Sequence, residues 1–344
     1  MSYNNYSQDS SMIDSFTSNG SKFWKHFYQM NNYKNNNPNT VISTHISPTS
    51  KCNLHCEYCS VKSRKQNNIK LEIIQDYVEK LITRGLKAVI LTGGGEPTFY
   101  PDFNKLVQWL KYDKKLSVAL ITNGTNSNSI DDYSVFSWIR VSINIFENWQ
   151  NKIFLPIGKI NNSTIIGMSY IDGDKQLENV IEDLKYLKNK LKASYIRILP
   201  NCLLRKDELE KEHQRINDIF IKYNLNKYQF FHQYKNHEVQ NLEICHQSFF
   251  RPYLSEVDGG TVYPCDSIVL NDQNRYFHKK YQICKATDIL EFLDKKISLN
   301  FKPCNDCSGC VFSNNIQLLD NWINNKIDLF EEFKNKDIIH EDFV

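Results

Sequence analysis

In Leu86-Lys87-Ala88-Val89-Ile90-Leu91-Thr92-Gly93-Gly94-Gly95-Glu96-Pro97 a short apolar run of the buried-strand kind passes directly into three glycines. Three residues without Cβ let another group approach the backbone closely at the end of the strand. A glycine run after a strand often cradles phosphate, but no Lys-Ser/Thr follows here, as a P-loop requires.

The same alternation extends to both sides. Val41–Ser47 reads as a strand, and Leu71–Arg84 carries apolar residues at 71, 74, 77, 78, 81 and 82, the spacing of one helix face, closed by Gly85. Phe103–Leu110 is helical by the same test, and Ser117–Thr122, Trp138–Ile145, Thr164–Tyr170 and Tyr195–Leu199 read as strands. The amphipathic helix Leu177–Leu191, the helical stretch Asp207–Tyr223 and a last strand near Tyr228–His232 complete the series. Six β/α units predict an α/β fold whose parallel sheet is open or curled into a partial barrel, with functional groups at the carboxyl ends of its strands.

The chain has 344 residues, 42 Lys+Arg against 39 Asp+Glu and 41% hydrophobic residues, enough for two domains with a real core. A net charge of +3, with both signs spread along the chain, offers no polybasic block for duplex nucleic acid or an anionic membrane. No apolar run nears the roughly 18 residues of a membrane helix, and Met1–Ser21 lacks the layout of a secretory signal. The chain therefore reads as cytoplasmic. Residues 1–40 are polar and Asn-rich and read as a partly disordered segment. Within them Phe23-Trp24-Lys25-His26-Phe27-Tyr28 reads as a helix docked on the body.

Ten cysteines in a reducing compartment point to metal binding or catalysis rather than disulfides. Three sit in Cys52-Asn53-Leu54-His55-Cys56-Glu57-Tyr58-Cys59, just after the first strand. Three thiolates can hold three irons of a four-iron cluster and leave the fourth open. The alternative is zinc with His55 as fourth ligand, although adjacent residues chelate one tetrahedral ion poorly.

With this triad followed by Gly93-Gly94-Gly95-Glu96 at the end of the next strand, the sequence resembles the radical S-adenosylmethionine (SAM) superfamily over roughly 41–235. The resemblance implies a partial (β/α)6 barrel in which Cys52, Cys56 and Cys59 hold a [4Fe-4S] cluster and SAM chelates the open iron. It also implies that the backbone over Gly93, Gly94, Gly95 and Glu96 meets the methionine amine, with Tyr58 beside the adenine. Asn123, Ser142 and Asn144 would hold methionine and ribose, and Arg197 would pair with the SAM carboxylate; plain strand-end capping is the other reading of these four. A bulky residue at Gly94 or Gly95 should then weaken SAM binding and leave iron content unchanged. One electron into such a cluster yields a 5′-deoxyadenosyl radical that removes a substrate hydrogen.

Further on, Cys245 is followed by Gly260-Thr261-Val262-Tyr263-Pro264-Cys265 and then by Cys304, Cys307 and Cys310 at CxxC spacing. This resembles the SPASM or shorter twitch extensions of radical SAM enzymes, and implies an auxiliary [4Fe-4S] cluster on Cys245, Cys265, Cys304 and Cys307, or with Cys310 in place of one of the last two. A zinc knuckle is the alternative. Cys202, just past the strand Tyr195–Leu199, is either a hydrogen-atom donor of an epimerase or a small buried hydrophobe; Cys284 reads as structural, and the pair His232 and His237 as solvated or core.

The sequence thus reads as a radical SAM oxidoreductase or isomerase-type enzyme: a polar segment at 1–40, a partial barrel at 41–235, a twitch-like module at 236–315, and a closing helix and tail at 316–344 with its amphipathic period over 316–333. The expected reaction is peptide modification by epimerisation or crosslinking, with a flavodoxin- or ferredoxin-type reductant. A small-molecule aminocyclitol or sugar dehydrogenase with the auxiliary cluster as electron acceptor is the second reading. A non-catalytic iron–sulfur or zinc scaffold is the third.

Overall fold

The alternating apolar runs assemble into one ten-stranded sheet. The computed structural model describes residues 15–18, 20–61, 66–144, 155–156, 159–173, 177–234, 244–268, 281–295, 307 and 310–344. Seven strands lie side by side in chain order: β1 (Ser43–Ile46), β2 (Ala88–Leu91), β3 (Ser117–Thr122), β4 (Phe136–Ser142), β5 (Ile165–Asp172), β6 (Tyr195–Pro200) and β7 (Phe230–His232). Each pairs in parallel with the next. On the other side of β1 comes β8 (Tyr253–Ser255), parallel to it, followed by antiparallel β9 (Thr261–Tyr263) and β10 (Cys284–Lys285).

An order without reversal, wound by right-handed crossovers, sends the connecting helices to one face of the sheet. Leu71–Ile82 buries Leu71, Ile74, Tyr77, Val78 and Leu81, and Leu177–Lys190 buries Leu177, Ile181, Leu184 and Leu187, the stripes their spacing predicts. Gly85 ends the first connection at φ +104°, where a side chain would be strained and would meet the Val41 carbonyl. The opposite face is closed by the ends of the described chain: Phe343 packs with Ala88, Ile90, Ala119 and Trp138.

Two local expectations change, and the docking expected of Phe23–Tyr28 is seen over a longer stretch. The helix that begins at Phe103 runs only to Gln108 before widening into a π-turn over Trp109–Asp113. The closing stretch 316–333 is two helices, Ser313–Ile323 and Phe330–Phe333, because Asn325 takes a left-handed φ of 57° and stops the first. Residues 20–34, part of the polar segment by composition, form a 3-10 turn (Gly20–His26) and a helix (Phe27–Lys34). They pack on the body: Trp24 meets Trp322 edge-on at 5.5 Å, Phe27 meets Phe330 at 4.3 Å, and Phe23 and Trp24 are fully buried.

Candidate active site

The loop that leaves β1 is pinned before its cysteines begin. Thr49 Oγ1 donates to Asn68 Oδ1 at 2.6 Å and Ser50 N–H to the Asn67 carbonyl at 2.9 Å. Cys52, Cys56 and Cys59 follow as half-buried thiols, with a turn closed by Cys59 N–H on the Cys56 carbonyl at 3.0 Å. From β3, Asn123 Nδ2 donates to Asn53 Oδ1 at 3.1 Å and lies 3.9 Å from Cys52 Sγ. The three thiols therefore sit at the carboxyl edge of β1 to β3, where the strand order leads one to look.

The glycine run is built into this loop. Gly94 N–H donates to Ser47 Oγ at 2.7 Å, Gly95 N–H to the Thr49 carbonyl at 3.1 Å, and Glu96 N–H to the Lys51 carbonyl at 2.8 Å. Any contact these three backbones make to a ligand thus goes through carbonyl oxygens, which accept and suit an ammonium donor. The reason for glycine also differs from the expectation. A Cβ on Gly95 would lie 2.2 Å from the Lys51 carbonyl oxygen, one on Gly93 2.2 Å from that of Gly95, and one on Gly94 2.7 Å from Glu256 Oε1. It is the protein's own backbone and one carboxylate that fill the space expected for a ligand.

Glu96 holds the strand ends together from within. Its buried carboxylate accepts from Thr98 N–H at 3.2 Å, Thr98 Oγ1 at 2.8 Å, Thr122 Oγ1 at 2.7 Å and Asn123 N–H at 2.7 Å. Burial pushes its carboxyl above the ordinary range, against four hydrogen bonds that favour the charged form. Glu96→Gln turns one acceptor into an NH2 facing these donors, and is expected to cost about 2–4 kcal/mol in urea unfolding. A loss under about 1 kcal/mol would show that the carboxylate is not the brace.

The remaining expected residues divide. Asn144 spends its side chain on Ile171, its Oδ1 accepting the Ile171 N–H at 2.8 Å and its Nδ2 donating to the Ile171 carbonyl, which is strand-end capping. Ser142 ends β4 opposite Ser169 of β5. Arg197 donates to Ser169 Oγ at 3.0 Å and Gln233 Oε1 at 2.8 Å. Among the described residues no carboxylate lies within ion-pair distance of it. Burial, and then nearby Arg140, push its guanidinium down to about 9. Tyr58 hydrogen-bonds Cys56, and burial first and that thiol second hold its hydroxyl protonated. Cys202 is half-buried past the end of β6, its thiol 3.7 Å from the Pro200 carbonyl. His232, by contrast, is core: its ring bonds His213 and Asn217, both at 2.8 Å. His237 lies outside the described residues. Glu256 and Ser47 gave no signal in the sequence; Ser47 Oγ donates to Glu256 Oε2 at 2.7 Å and so joins the residue that follows β8 to the glycine run.

Residues 46–154 match the Radical SAM superfamily model. The matched segment contains the three early cysteines, the glycine run and Asn123. Among curated relatives, an S-adenosylmethionine-dependent nucleotide dehydratase of Selenomonas ruminantium is 29% identical over 127 residues, covering 36% of this chain and 44% of that protein. A probable GTP 3′,8-cyclase of Methanococcus vannielii is 35% identical over 87 residues, covering 24% and 29%. The chain thus spans less than half the length of these relatives. Among solved structures, Streptococcus suis SuiB bound to S-adenosylmethionine aligns with a TM-score of 0.52 at 14% identity, over 73% of this chain and 65% of SuiB. That likeness is one of fold.

Beyond the matched segment, four of the five late cysteines come together. Cys245, Cys265, Cys307 and Cys310 share one side-chain cluster with Tyr253, Tyr263 and Ile316, and Cys59 of the early triad packs against the same cluster. Burial, followed by Cys310 and Cys307, raises the Cys245 thiol; burial, followed by Cys245, raises Cys265. Cys304 lies outside the described residues. The grouping includes both Cys307 and Cys310, the pair of the alternative set in which Cys310 stands in place of Cys304. Among the described residues no three His, Cys, Asp or Glu groups converge on a single-ion site. Cys284 lies in β10, its thiol pushed up to about 12 by burial.

Proposed function

We propose that the chain is a radical SAM enzyme whose segment 41–235 is a partial barrel and whose late cysteines form a twitch-like auxiliary module. The observation that carries this is the joining of Cys52, Cys56 and Cys59 to the glycine run: the backbone bonds from Gly95 and Glu96 to Thr49 and Lys51, with Asn123 against Asn53, make one rigid cradle at the strand ends. A [4Fe-4S] cluster on these thiols would supply one electron to SAM and yield the 5′-deoxyadenosyl radical. The chain's own residues bind and orient. Carbonyl oxygens of the glycine run accept from the methionine ammonium, Arg197 offers its guanidinium to a carboxylate, and Tyr58, near Gly173 and Tyr170, borders the adenine side. Cys245, Cys265, Cys307 and Cys310 would hold the auxiliary [4Fe-4S] cluster.

For the substrate we favour a peptide, because modules of the twitch type accompany peptide modification in the superfamily the sequence resembles. In an epimerase the half-buried Cys202 thiol would return a hydrogen atom to the substrate radical. The second reading, a small-molecule dehydrogenase, uses the auxiliary cluster to accept the second electron and leaves Cys202 without a part. In both a flavodoxin- or ferredoxin-type protein supplies the first electron.

Anaerobic reconstitution tests the proposal directly. The protein should bind about eight irons with matching acid-labile sulfide, by the thiolate count, and form 5′-deoxyadenosine from SAM when reduced. Stoichiometric zinc with little sulfide, and no 5′-deoxyadenosine, would overturn it in favour of a scaffold.

A further inference from the structure

Asn123 is tied down along its whole length. Its main-chain N–H is held by Glu96 Oε2 at 2.7 Å, and the next N–H, of Gly124, turns back to Thr122 Oγ1 at 2.9 Å, so the residue leaves β3 in a set direction. Its side chain then closes a ring of three. Asn53 Nδ2 donates to Thr125 Oγ1 at 2.9 Å. Thr125 Oγ1 lies nearer to Asn123 Oδ1, at 2.6 Å, than to Asn53 Oδ1, at 3.2 Å, and donates to the former. Asn123 Nδ2 completes the circuit by donating to Asn53 Oδ1 at 3.1 Å.

These bonds decide which way the Asn123 amide points. An amide side chain offers two N–H donors and one oxygen with two lone pairs. Oδ1 accepts the Thr125 main-chain N–H at 2.9 Å as well as the Thr125 hydroxyl, and a main-chain N–H can only donate. Oxygen and nitrogen therefore cannot trade places, and both lone pairs are in use. One N–H is spent on Asn53. The other has Cys52 Sγ as its acceptor, at 3.9 Å. Ionising that thiol to bind a metal makes the bond charge-assisted, and such bonds are shorter and stronger.

We propose that Asn123 is a positioning residue for Cys52, whose amide N–H raises the reduction potential of the [4Fe-4S] cluster the early cysteines would hold. This rests on the radical SAM reading of those cysteines, and it gives Asn123 a different part from the one expected at methionine and ribose. A donor aimed at a ligating sulfur favours the state with more negative charge, and hydrogen bonds to the sulfurs are among the settings of iron–sulfur potentials. With its oxygen saturated and both N–H groups placed, the amide has nothing left to offer a ribose hydroxyl.

The full chain, reconstituted anaerobically with iron and sulfide, is titrated with dithionite and redox mediators and followed by EPR. The variant with alanine at Cys52, Cys56 and Cys59 supplies the late signal to be subtracted. Asn123→Ala should lower the reduced-to-oxidised ratio of the early cluster about tenfold at a fixed potential, equivalent to about 59 mV for one electron, and leave the SAM Kd from equilibrium dialysis unchanged. The ratio is read per cluster, so partial loading does not enter. A second measurement needs no variant: in wild type carrying 15N in its asparagine side-chain amides, pulsed EPR of the reduced early cluster should show a weak 15N coupling. An unshifted potential in folded Asn123→Ala, or no 15N coupling in the wild type, overturns the proposal. A weakened SAM Kd with an unshifted potential also overturns it and returns Asn123 to the SAM site. A chain that assembles no cluster on the early cysteines overturns the radical SAM reading with it, and iron and sulfide analysis tells that failure from the others.

Discussion

Replacing Cys52, Cys56 and Cys59 together by alanine is expected to remove about half of the reconstituted iron and all formation of 5′-deoxyadenosine. The two sets of thiols owe their positions to different parts of the chain. The early three hang on the loop pinned by Thr49, Ser50 and Asn123, and of them Cys59 also packs against the cluster of the late thiols. The late four are held by the surroundings of β8 and β9 and by Ser313–Ile323, through Tyr253, Tyr263 and Ile316. The early thiols are half-buried in a loop rather than packed in the main core, so their loss should leave the unfolding midpoint nearly unchanged. Iron and sulfide analysis with a 5′-deoxyadenosine assay gives the answer. A triple variant that keeps its full iron, or still cleaves SAM, would place the reacting cluster elsewhere.

The second large effect is expected from one methyl group. Gly95→Ala sets a Cβ 2.2 Å from the Lys51 carbonyl oxygen and 2.5 Å from the Ser50 carbonyl carbon, and backbone cannot swing aside as a side-chain tip can. The segment that moves leads directly into Cys52. Overpacking of this kind costs about 1–3 kcal/mol or more, and iron content at the early site should fall with stability. Gly94→Ala should be milder, because the atom it meets at 2.7 Å is the end of the Glu256 side chain, and adding Glu256→Ala should recover much of the loss. This reverses the expectation from sequence that such changes would touch SAM affinity alone. Gly95→Ala with wild-type iron and stability would refute the packing argument.

What was legible in the sequence was whatever repeats locally. The stripe of Leu71, Ile74, Tyr77, Val78 and Leu81 announced its helix, and Ser117–Thr122 appeared with its bounds intact, because helix and strand periods are written in neighbouring residues. The cysteine triad and the glycine run were legible as chemistry, but their physical contact was not. That contact depends on the Thr49 and Lys51 carbonyls, which every residue possesses. Glu256 could not be foreseen for the same reason: it reaches Ser47 across 209 residues of chain. Asn144 shows the converse, since a polar residue at a strand end looks alike whether it caps Ile171 or awaits a ligand.

The pairing of β1 with β8 carries a consequence for how the chain is made. β1 is formed by Ser43–Ile46, yet its second neighbour, Tyr253–Ser255, emerges from the ribosome some two hundred residues later. Until then β1 presents an open row of peptide groups, of the kind that captures stray strands. The Thr44 hydroxyl, which ends up donating to the Pro252 carbonyl at 2.8 Å, waits equally long. Pairing at such separation is slow to close, so a nascent chain halted before Tyr253 should be more prone to aggregate than one released just after Tyr263, when β8 and β9 can seal the edge.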